Sequence, residues 1–218
     1  MVTLSFDNGP EPEVTPHVLD LLAKHSVKAS FFVIGRKVVT PEGRDLAMRA
    51  SAEGHWVGNH TFSHTTPLGE LDRDAALREF DQAEEALSWL KQTPRLFRPY
   101  GRAGKLGQHL MHPAVVERLI AGKFSAVIWN SVPGDWRDPD GWVETALAQG
   151  KIKKENDIPS LFVLHDQPKA ALGQLDRFLT TIREMGVTIA QEFPDECVPI
   201  RAGRIVGPIE PWTSPRLD

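Results

Sequence analysis

Short β-rich runs and amphipathic helical patterns alternate along this chain, and few folds accommodate that rhythm. The β-rich runs fall at residues 2–6, 28–34, 56–58, 95–97, 125–129, 161–164 and 187–190. Between them lie helical patterns. The first has Thr15 as N-cap and Pro16 at the first helical position, then Val18, Leu21, Leu22 and His25 on one face. The longest spans residues 72–91, with Ala76, Phe80, Ala83, Leu87 and Leu90 forming its apolar stripe. Others fall at residues 42–52, 113–121, 141–149 and 172–185. Strand and helix in strict succession imply a parallel sheet sheathed by helices. Seven such units fit a closed or nearly closed α/β barrel of parallel strands better than a flat sheet.

Length and charge narrow the function. A chain of 218 residues can bury one sizeable core. Residues 1–194 carry the alternating pattern and read as one domain, and 195–218, rich in Pro, Gly and Arg, read as a surface-wrapping tail or a partly disordered end. A net charge of -4 provides no basic excess for nucleic acid or for an anionic membrane. Cys197 is the single cysteine, so neither an internal disulfide nor a cysteine metal cage is available. The N-terminus shows no basic segment leading into an apolar run, and the sequence therefore predicts a cytoplasmic protein. Nothing in it specifies an oligomeric state.

In parallel α/β barrels, chemistry sits in the loops after the C-terminal ends of the strands. Five of the predicted strands end there on polar clusters. They are Asp7-Asn8-Gly9, the run from Asn59 to His64, Arg98-Pro99-Tyr100-Gly101, the stretch from Asn130 to Asp135-Trp136, and His165-Asp166. Each has a bland explanation when taken alone. Asn8-Gly9 is a hairpin signal, yet three prolines and a helix follow and no partner strand is available. His60 and His64 are spaced to face one metal ion from a helical turn, but such a spacing also arises by chance. Arg98 and Asp135 read equally as a structural ion pair, and Trp129, Trp136 and Trp142 as core. The convergence of all five clusters on one rim is what points to a site.

These residues resemble the motifs of the polysaccharide deacetylases of the NodB-homology type. Ser5-Phe6-Asp7-Asn8-Gly9 is similar to the first motif, and His60-Thr61-Phe62-Ser63-His64 to the second. Phe97-Arg98-Pro99-Tyr100-Gly101, Asp135-Trp136 and Leu164-His165 resemble the third, fourth and fifth. The match covers roughly residues 2 to 190, with the motifs in order. The resemblance implies an α/β fold, a distorted (β/α)7 barrel of parallel strands, and hydrolytic removal of an acetyl group from an N-acetylated oligo- or polysaccharide by metal-activated water. It implies a divalent ion, zinc above all, on Asn8, His60 and His64, with Asp7 as base and Arg98 holding it. His165 would be the acid, tuned by Asp135, with Tyr100 and Trp136 against the substrate. Three departures stand out: Asn8 replaces the family's metal-ligating aspartate, the third motif lacks its second proline, and no acidic residue precedes Asp135-Trp136. A neutral ligand at position 8 should weaken metal binding. Two other readings stay open: a metal-independent hydrolase of another amide, of cyclic ureide type, and a silent carbohydrate-binding domain.

Overall fold

The computed structural model describes residues 1–150, 159–167 and 172–215. Eight strands form one sheet: β1 (Val2–Asp7), β2 (Ser30–Val33), β3 (Trp56–Asn59), β4 (Arg95–Phe97), β5 (Phe124–Ala126), β6 (Ser160–His165), β7 (Ile200–Arg201) and β8 (Arg204–Ile205). Their order is β6-β1-β2-β3-β4-β5-β7-β8. The first six pair in parallel, and β7 and β8 add an antiparallel hairpin beside β5. After β5 the chain continues until Ser131 bridges Phe162 of β6, which spans the open side of the curled sheet. The result is a distorted barrel of the (β/α)7 type, in accord with the sequence rhythm.

Helices α1 (Thr15–Lys24), α2 (Gly35–Val38), α3 (Pro41–Ala52), α4 (Arg73–Ala86), α5 (Pro113–Ala121), α6 (Trp142–Gln149) and α7 (Leu172–Glu184) connect the strands. Neighbouring strand residues serve different clusters, as a period of two requires. Leu4, Phe6, Phe31 and Phe162 pack with Leu19 of α1 and Phe178 of α7, whereas Phe32, Leu161 and Val163 belong to a second cluster. Every residue of β1 and β6 is buried, as expected of strands covered on both faces. Among the described residues no helix is long and apolar enough to cross a membrane.

Four expectations need correction. Thr15 is not the cap of α1; Val14 precedes the helix, and the Thr15 hydroxyl donates to Asp166 Oδ2 at 2.6 Å while accepting from the Glu11 amide. Helix α4 ends at Ala86, short of residue 91, because Gln92 leaves for the sheet and exchanges hydrogen bonds with the Val57 backbone. Residues 187–190 form no full strand. Only Ile189 bridges Val2, since β2 pairs with β1 from Ser5 onwards. Part of the expected tail joins the sheet edge: Cys197, Val198 and Ile200 are buried, and Ala126 pairs with Ile200.

Candidate active site

Strand register brings the chemical residues together. Asp7 closes β1 opposite His165 at the end of β6, and Asn59 pairs with Phe97, so His60 and Arg98 leave the sheet side by side. A cavity of about 310 Å³ opens at this end of the barrel. Asp7, Asn8, His60, His64, Tyr100, Trp136 and His165 line it, and Arg98 and Asp135 lie buried behind it.

Arg98 and Asp135 do not pair with each other. Arg98 is wholly buried; its Nη1 donates to Asp7 Oδ1 at 2.8 Å and to Ser5 Oγ at 2.6 Å, and its guanidinium lies 4.0 Å from the Phe32 ring centroid. Burial is the largest influence on Arg98 and lowers its pKa, with Asp7 opposing. Asp135 spends both carboxylate oxygens on His165. Oδ1 meets ring Nδ1 and Oδ2 accepts the backbone N–H, each at 2.8 Å. Burial alone would discharge His165, but the Asp135 hydrogen bond and the charges of Asp135, Asp7 and Asp166 outweigh it and raise its pKa. Nδ1 is thereby engaged, which leaves Nε2 for the cavity. The Trp136 ring stands edge-on to His165 with centroids 4.6 Å apart.

His60 and His64 occupy a loop rather than the anticipated helical turn. Thr61 and His64 have φ of 64° and 56°. Such left-handed conformations are uncommon outside glycine and cost of order 1–3 kcal/mol each. The two rings still converge, with centroids 4.7 Å apart, and His64 packs on Tyr100 at 3.9 Å. His60 Nδ1 lies 2.8 Å from the Arg98 carbonyl oxygen. A carbonyl only accepts, so Nδ1 carries the proton and Nε2, 3.6 Å from Asp7 Oδ2, keeps its lone pair. Burial lowers the pKa of His60, and burial aided by His60, His165 and nearby cations lowers that of His64 to about 2. Both shifts favour the neutral ring, the form that binds metal. The chemistry of the donors therefore fits a divalent cation, although the third cavity-lining candidate, Asn8, offers only an amide oxygen. Among the described residues no group of three or more His, Cys, Asp or Glu is arranged to hold an ion.

Sequence reasoning missed several neighbours. Trp129, Val132 and Gln167 also line the cavity. Asp166, next to His165, lies under the first-motif turn, so close that a Cβ at Gly9 would sit 2.1 Å from its Oδ2. Burial pushes the Asp166 carboxyl up to about 7. Its adjacency to His165 was the available signal. Trp142, by contrast, is fully buried core, as its bland explanation had it.

Fold and cavity together are those of an α/β barrel with ionisable groups gathered at the C-terminal ends of its strands. The family model described as "Polysaccharide deacetylase" matches residues 1–109. A chitooligosaccharide deacetylase of Rhizobium leguminosarum bv. trifolii is 35% identical over 69% of this chain and 66% of its own length. A peptidoglycan-N-acetylglucosamine deacetylase of Bacillus cereus is 28% identical over 88% of this chain and 87% of its own. The structure of the peptidoglycan deacetylase PdaC from Bacillus subtilis superposes with a TM-score of 0.67, at 25% identity, over 87% of this chain and 86% of that one. The chain belongs to the polysaccharide deacetylase family, hydrolases acting on carbon–nitrogen amide bonds.

Proposed function

We propose that this protein removes acetyl groups from an N-acetylated oligo- or polysaccharide, with Asp7 as general base and His165 as general acid. One observation carries the reading: Asp7 and His165 sit in register across one cavity, each held by a buried partner of opposite charge. Arg98 occupies one carboxylate oxygen of Asp7 and leaves Oδ2 to take a proton from water. His165, kept protonated by Asp135, donates from Nε2 to the departing amine. The Tyr100 backbone N–H is the proposed donor to the oxyanion. Tyr100 and Trp136 provide aromatic faces for the sugar. His60 and His64, with Asn8, would hold a divalent ion, zinc first among candidates. When bound, such an ion polarises the carbonyl and acidifies water. The neutral Asn8 favours a second reading, hydrolysis of another amide without metal.

The experiment pairs acetate release from N-acetylglucosamine oligomers with elemental analysis of the protein. The parent should release acetate and contain zinc, and Asp7→Asn should lose about 10³-fold in rate while staying folded. A fully active Asp7→Asn enzyme contradicts the assignment of the base. Amide hydrolysis by metal-free protein favours the second reading.

A further inference from the structure

Glu79 does not line the cavity, yet it is hydrogen-bonded to the loop that carries the two histidines. It projects from α4, and its Oε2 accepts the backbone N–H groups of Phe62 at 3.1 Å and Ser63 at 2.8 Å. The loop has few resources of its own. His60 N–H donates to the Val33 carbonyl at 3.0 Å, and Thr61 N–H to Asn59 Oδ1 at 2.8 Å. The carbonyls of Thr61 and Phe62 accept from Gly35 and Arg36 N–H at 2.9 and 3.0 Å. Asn59 is in turn anchored to α4, donating through Nδ2 to Glu84 Oε1 at 2.8 Å and to the Phe80 carbonyl at 3.2 Å.

Two non-glycine residues of this loop, Thr61 and His64, stand in left-handed conformations that the backbone does not favour by itself. Such conformations persist where the surroundings over-determine them. The single carboxylate oxygen holding residues 62 and 63 lies on the chain between these two positions. A carboxylate accepting backbone N–H groups makes stronger bonds than a neutral acceptor, and a helix is a rigid mount for it.

We propose that Glu79 is a positioning residue: it locks the left-handed path of the loop from His60 to His64 and so keeps both imidazoles on one point of the cavity. Its consequence for metal rests on the reading of His60 and His64 as ligands. Groups one step behind a metal ligand typically change affinity by about 10–100-fold when removed, and Glu79 acts at that distance through the backbone.

The test compares the parent protein with Glu79→Ala and Glu79→Gln. Amide hydrogen exchange on metal-free protein reads the loop, and calorimetric titration with Zn2+ reads the site. In Glu79→Ala the amides of residues 62 and 63 should exchange faster, those of β1 and β6 should be unchanged, and Zn2+ should bind about 10–100-fold more weakly. Glu79→Gln keeps a carbonyl acceptor and should recover most of the affinity. Unchanged exchange at residues 62 and 63, or parental Zn2+ affinity in Glu79→Ala, overturns the proposal. If the parent itself takes up no Zn2+, the ligand reading fails, and the exchange rates alone then decide whether Glu79 locks the loop.

Discussion

His60 and His64 on one wall of the cavity, and His165 on another, are the same residue type under opposite control. All are largely removed from water, and burial disfavours the charged form of each. On the His60–His64 wall burial prevails and lowers both pKa values. His60 gives its one proton to a main-chain carbonyl. On the other wall the Asp135 carboxylate reverses the outcome. Burial sets the default, and one well-placed carboxylate reverses it. Opposite shifts of one side-chain type thus occur within one cavity of about 310 Å³.

That contrast can be broken from either wall. Removing the proposed acid should have the largest effect: His165→Ala is expected to lower turnover about 10²–10⁴-fold in steady-state acetate release. Asp135→Asn keeps the ring but removes the charge that holds its proton. The alkaline limb of its rate profile should therefore move to lower pH, and an unmoved limb would deny Asp135 that role. On the neutral wall, Asn8→Asp adds the missing negative charge, and calorimetry should find Zn2+ bound about tenfold more tightly. An unchanged affinity would mean that residue 8 is not a ligand, and the metal-free reading would gain.

The smallest expected effect is on stability, through Asp166. Its carboxyl titrates near 7 in the fold, against an ordinary value of 3.8. The native state therefore binds a proton that the unfolded chain releases earlier. This stabilisation is complete below about pH 4 and is lost as pH rises through about 7. Asp166→Asn should flatten the decline, as read by urea midpoints at about pH 5 and about pH 8. An unaltered slope would place Asp166 outside that linkage.

Strand and helix periodicity made the barrel legible, because fully buried strands and amphipathic helices leave strong local patterns. The places where local pattern failed are governed by tertiary partners. Thr15 reads as a cap from its neighbours, but Asp166, distant in sequence, claims its hydroxyl. Residues 187–190 have strand composition, but β1 offers them room only at Val2. All nine candidate site residues meet at one cavity or directly behind it. Their pairings were less legible, since which carboxylate meets Arg98 and which meets His165 depends on register between strands. The left-handed loop from His60 to His64 was also hidden, because most of its support comes from α2 and α4, which are separate segments of the chain.

The division of the cavity into a neutral and a protonated wall is most directly tested by ring-nitrogen NMR of 15N-histidine-labelled, metal-free protein, titrated through the ordinary histidine value of 6.5. At that pH the account predicts His165 with both nitrogens protonated, His60 as the neutral Nδ1–H tautomer, and His64 neutral. A neutral His165 there, or His60 and His64 protonated alongside it, would contradict the account.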